Sequence, residues 1–163
     1  MFRKLLGLAY RNGPHVERGV HVYIGPTRMI VAPVHRNLAG IYYEQPAPIV
    51  LDGPPEALPL GTAFRQAYEA FSVKDADLGS TRKSDWPAYQ ASGLRSMKEF
   101  ERHYRTVLCY ALNPSNAVFR ASTAHPTLAD IELAVSFNPL QDEAQIGHHL
   151  LQLAQAASPQ PAA

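Results

Sequence analysis

The sequence predicts an α+β fold: a mostly antiparallel sheet of about six or seven strands with three main helices packed on it. Three observations carry this. Short runs of β-branched and aromatic residues recur between connections too short for crossover helices. Two longer segments repeat apolar residues at three- and four-residue spacing, and a third opens on a helix-capping signature. The chain has 163 residues, 46% of them apolar, enough to bury one core.

The first strand is Val20-His21-Val22-Tyr23-Ile24, which alternates and is bounded by Gly19 and Gly25-Pro26. Residues 28–32 form a second, stopped by Pro33. Residues 38–44 form a third and 47–51 a short fourth, which Pro46 and Pro48 push to a sheet edge or a strand start. The first helix spans about 59–71, with Leu60, Phe64, Ala67, Tyr68 and Phe71 on one stripe. Residues 72–86 are polar and turn-rich and read as a long loop. A helix over 96–104 follows, capped by Ser96 with Glu99 three residues on, and Gly93 frees the chain to turn into it. Strands at 106–112, 117–122 and 131–137 come next, the first two joined by the turn Asn113-Pro114-Ser115-Asn116. The last helix starts near Asp142, where Asp142 and Gln145 repeat the cap spacing, and runs to about 157. One domain over 1–157 and a frayed tail over 158–163 complete the organisation.

A weak echo links the halves of the chain. Leu60-Gly61 and Ile146-Gly147 each place an aliphatic residue and a glycine three positions before a large apolar one, and Ala70 aligns with Ala156. Either two amphipathic helices coincide, or each half packs a glycine closely against the same sheet.

Formal charge is +1, from 15 basic and 14 acidic residues, so no general attraction to nucleic acid or an anionic membrane follows. A lone cysteine, Cys109, allows no intrachain disulfide and lies in an apolar run that reads as core. The segment Met1-Phe2-Arg3-Lys4-Leu5-Leu6-Gly7-Leu8-Ala9 is too short in its apolar part for a secretion signal, and no run is long enough to span a bilayer. A soluble, cytoplasmic protein is the expectation.

Seven histidines invite a metal or acid–base reading. His148 and His149 are adjacent, so on a helix they point about 100° apart and cannot chelate one ion. Metal-binding, phosphate-loop, dinucleotide and nucleophile-elbow motifs are all lacking, so no cofactor and no metal are expected. A small histidine-dependent hydrolase or nuclease, using for example His103 and His125, stays open as the alternative, because spatial neighbours need not be sequence neighbours.

The order of motifs resembles one known family, the immunity proteins of bacterial contact-dependent growth inhibition. The likeness rests on the opening Met1-Phe2-Arg3-Lys4-Leu5, an early hairpin and Leu60-Gly61 entering the first helix. Trp86, the Gly93, Ser96, Phe100-Glu101 helix start, a strand pair and Ile146-Gly147 complete it. The chain departs in carrying Arg95 and Met97 beside Ser96, and in its near-neutral charge. The resemblance implies a non-enzymatic cytoplasmic antidote that binds the C-terminal toxin domain of a cognate effector, most often a nuclease, and covers its active site. Nucleic acid and membrane are not partners in that reading. Against a basic nuclease cleft, exposed carboxylates would stand in for phosphates. The candidate contact residues are Asp75, Asp77, Asp85 and Trp86 in the long loop, and Asp130 with Glu132 at a strand entry.

Overall fold

Val20, Val22 and Ile24 point to one side of their strand and His21 and Tyr23 to the other, the two-residue period that lets a sheet bury both faces differently. The computed structural model describes residues 18–74, 86–122 and 131–158. Its strands are β1 (Gly19–Ile24), β2 (Arg28–Arg36), β3 (Tyr42–Glu44), β4 (Ile49–Asp52), β5 (Ser72–Val73), β6 (Arg105–Asn113), β7 (Asn116–Ser122) and β8 (Glu132–Phe137). The helices are α1 (Ala57–Glu69), α2 (Pro87–Ser92), α3 (Met97–His103) and α4 (Glu143–Ala156). All seven predicted strands are present, joined in one eight-stranded sheet of order β3-β2-β1-β6-β7-β8, with β4 and β5 also on β2.

Every pairing is antiparallel except β2 with β5, where His35 stands opposite Ser72. Residues 72 and 73 were expected in a loop; they form this two-residue strand because β1 begins only at Gly19, leaving the edge of β2 at His35–Arg36 open. Ser72 Oγ bonds His35 Nδ1 there. Burial, helped by the charge of Lys74, pushes the His35 imidazole below its ordinary pKa. Pro33 does not stop β2, contrary to expectation. Its carbonyl accepts from Gln45 N, so its nitrogen faces the same edge, at the gap where β4 ends and β3 begins. No ladder bond is lost there.

The layout has a twofold character. β1, β2, β4 and α1 follow one another as β6, β7, β8 and α4 do, and the halves join where β1 pairs with β6. α1 covers the first half of one face and α4 the second. Between them lies the main core, where Phe64 meets Phe119 and Phe137 edge-on and those two rings stack at 4.0 Å. Cys109 is fully buried in it, and burial pushes its thiol well up, so it is no nucleophile.

The echoed glycines do pack closely, but on each other's helices rather than on the sheet. A Cβ on Gly61 would stand 1.7 Å from the Glu143 carbonyl oxygen, and one on Gly147 would stand 1.8 Å from that of Ala57. Each glycine is the fifth residue of its helix and rests on the first residue of the other, so a local twofold axis runs through the contact. Arg65 ties the same junction, donating to the carbonyls of Pro139 and Gln141 and pairing with Glu143 at 3.1 Å.

Both predicted caps form. Ser96 Oγ accepts from Glu99 N at 3.1 Å, and Asp142 Oδ1 from Gln145 N at 2.9 Å. Replacing either residue by alanine is expected to cost about 1 kcal/mol in chemical denaturation, without moving the slope of the transition. Phe71 falls just outside α1, which ends at Glu69. Ser158, expected in the tail, closes α4 by donating to the Ala154 carbonyl. The rest of the tail, 159–163, lies outside the described residues.

Candidate functional site

The described elements cover the second face of the sheet over only half its width. Tyr23, Ile30 and Ala32 on β1 and β2 bury against Ala88 and Tyr89 of α2 and Phe100 of α3, with Trp86 packed against them. A buried carboxylate holds this layer down. Glu44, at the end of β3, has a side chain only 4% exposed. Its Oε1 accepts from Tyr23 Oη at 2.6 Å and Trp86 Nε1 at 3.2 Å, with His21 Nδ1 at 3.3 Å. Its Oε2 accepts from Ala88 N at 2.8 Å, one of the amides that the first turn of α2 leaves without a helical partner. A buried charge is tolerable only when its lone pairs are met in this way. Burial first, and then the Glu44 charge, raises the Tyr23 phenol far above its ordinary pKa, so it stays a donor.

Sequence reasoning missed both α2 and Glu44. Pro87 at the first position and Gly93 just past the end, at φ 71°, were the available helix signals. Gly93 therefore ends α2 rather than opening α3. Nothing local marks Glu44, whose partners come from two other parts of the chain, β1 and the start of α2.

Beyond β1 the described elements leave the second face open. Thr106, Arg120, Ser122, Glu132, Ala134 and Ser136 project from β6, β7 and β8 and are exposed. A groove of about 430 Å³ runs where this surface meets α3, with Glu101, Tyr104 and Arg105 on one wall and Leu108 in its floor. Arg120 and Glu132 face each other across two strands at 3.5 Å, an exposed pair contributing under about 1 kcal/mol. A broad, mixed-polarity strand face beside a helix is the kind of surface that docks a protein.

Of the candidate contact residues, Glu132 lies on this groove. Trp86 is a packed anchor: its ring sits 5.0 Å from Phe100 and 6.1 Å from Tyr23, and its indole N–H is bonded inward. Asp75, Asp77, Asp85 and Asp130 lie outside the described residues. So does His125, while His103 is exposed and its Nδ1 bonds the carbonyl of Glu99 in its own helix. Among the described residues no three of the His, Cys, Asp and Glu side chains gather as a metal site, and no helix is long and apolar enough to cross a membrane.

No protein-family model matches the chain, and no curated protein matches it. Solved structures do share its fold. A protein of unknown function from Neisseria meningitidis, NMB0488, superposes with a TM-score of 0.66 at 16% identity, over 88% of this chain and 96% of that one. A chain of the CdiA-CT/CdiI toxin and immunity complex from Yersinia pseudotuberculosis superposes with a TM-score of 0.61 at 11% identity, over 88% of this chain and 98% of that one. At such identities the likeness is one of fold: this sheet and its helices are an architecture found in a toxin–immunity assembly.

Proposed function

We propose that this chain is an immunity protein that binds and neutralises the toxin domain of a cognate contact-dependent inhibition effector. The carrying observation is the end-to-end fold likeness to a chain of a toxin and immunity complex, which extends over nearly the whole of both chains. A rigid sheet with one half-open face suits the task, because a preorganised surface loses little entropy on docking. In this reading the protein acts in the cytoplasm, without catalysis of its own. Its toxin is a nuclease whose active site it covers, and the open β6–β8 face with Glu132 is the contact. Asp130, two residues before Glu132 in the sequence, is proposed as part of the same contact. Asp75, Asp77 and Asp85 form the second proposed contact.

The decisive experiment is co-expression with the C-terminal domain of the effector encoded beside this chain. Growth rescue is expected, together with a purified complex of nanomolar affinity, about −12 kcal/mol. Absence of both rescue and a complex would overturn the proposal. Within it, Glu132→Lys is expected to weaken binding roughly tenfold, about 1.4 kcal/mol, measured by titration calorimetry.

A further inference from the structure

On the other flank of α3 lies a groove of about 470 Å³. The end of α3, the β1–β2 turn, the stretch before α1 and the last turns of α4 enclose it. Its floor is apolar, with Ile24, Leu151 and Ala154, and its rim carries Arg102, His103 and Arg105. No acidic residue lines it among the described residues, and the side chain of neither Arg102 nor Arg105 makes an ion pair or hydrogen bond with any of them. His103 spends Nδ1 on its own helix, leaving Nε2 for another partner.

The ordinary roles of such residues are already filled or do not suffice. The last carbonyls of α4 are satisfied without the arginines: Leu153 O by Ala157 N, Ala154 O by Ser158 Oγ, and Gln155 O by Ser158 N. Cations in the final turn of α3 complement its dipole, which accounts for Arg102 and His103. It does not account for Arg105, which begins β6, or for the hollow that all three border.

Two guanidinium groups over an apolar floor match carboxylates interspersed with aliphatic side chains, since arginine binds carboxylate through a two-pronged fork. Among the described residues no Phe, Tyr or Trp ring lines this groove for a base to stack on, and single-stranded nucleic acid depends heavily on such stacking. We propose that the groove receives an acidic segment, bearing aliphatic residues, of this chain's protein partner. The immunity reading supplies the identity of that partner; the chemistry of the groove stands apart from it. The toxin is then gripped at an acidic element, in addition to any contact at the open face.

The test uses the full chain and a short fluorescein-labelled peptide of alternating Glu and Leu, read by fluorescence anisotropy at low ionic strength. Saturable binding is expected, weakened at least roughly tenfold by the double charge reversal Arg102→Glu/Arg105→Glu and by 0.5 M salt, where screening is nearly complete beyond a few ångströms. Arg102→Gln/Arg105→Gln provides the milder variant should the reversal disturb folding. A matched Lys/Leu peptide is expected not to bind. Equal binding of the Lys/Leu peptide, of a single-stranded RNA or of inorganic phosphate overturns the proposal, and so does undiminished binding by the neutral variant. Co-expression separates this from the larger reading. If the neutral variant rescues growth and binds the toxin domain as tightly as the native chain, the groove is not its docking site and the immunity function stands. If the native chain itself fails to rescue, the immunity reading falls while the peptide result still decides the groove.

Discussion

Gly61→Ala is expected to destabilise the protein by about 3 kcal/mol, although alanine is the better helix former by about 1 kcal/mol. The sign is decided by geometry. The new methyl carbon would stand 1.7 Å from a backbone oxygen of α4, and backbone, unlike the end of a flexible side chain, cannot step aside. The helices must move apart, which opens the Phe64, Phe119 and Phe137 core beneath them. In thermal denaturation this loss corresponds to roughly 6–12 °C. Gly147→Ala is expected to match it, because the contact is reciprocal. The double variant should lose less than the sum, since helices already separated by one methyl have room for the second. A Gly61→Ala protein as stable as the native one would mean that the helices do not touch here.

Glu44→Ala is expected to cost about 3 kcal/mol or more, because it orphans the Ala88 amide and the Tyr23 hydroxyl proton and leaves the Trp86 indole only Tyr23 Oη as acceptor. The chain's sole tryptophan is itself one of these groups, so its emission should shift to longer wavelength as α2 loosens and water reaches the ring. Glu44→Gln keeps the shape and one acceptor oxygen, and is expected to lose less. Unchanged stability and unchanged emission in Glu44→Ala would show that α2 is held by its apolar contacts alone.

What the sequence made legible were the features whose causes are local. Alternation along 20–24 and the apolar run over 107–112 marked strands, and the Ser96/Glu99 and Asp142/Gln145 spacings marked helix starts, because each pattern reports neighbours within a turn or a pleat. Pro33 misled because its effect depends on which edge of β2 is bonded at that point, a property of the partner strands. The paired glycines were visible as an echo, yet their contact was assigned to the sheet, since a bare Gly signals close approach without saying to what. Glu44 was beyond reach for the same reason: it ends a strand like any surface glutamate, and only folding brings Tyr23, Trp86 and Ala88 around it. Of the surface itself, Glu132 was readable as an exposed strand-entry acid. The groove beside Arg102 and Arg105 was not, because its walls come from four separated stretches.

The pairing of β1 with β6 has a consequence for synthesis. β1 ends at Ile24 and β6 begins at Arg105, so the middle of the sheet stays an unzipped edge until about 80 further residues have left the ribosome, some 4–16 s at ordinary elongation rates. During that interval the half-made chain shows Val20 and Val22 beside bare ladder groups, the exposure that invites sticking to other chains. Slowing translation between the codons of β1 and those of β6 should therefore raise the aggregated fraction, whereas slowing it after β6 should not.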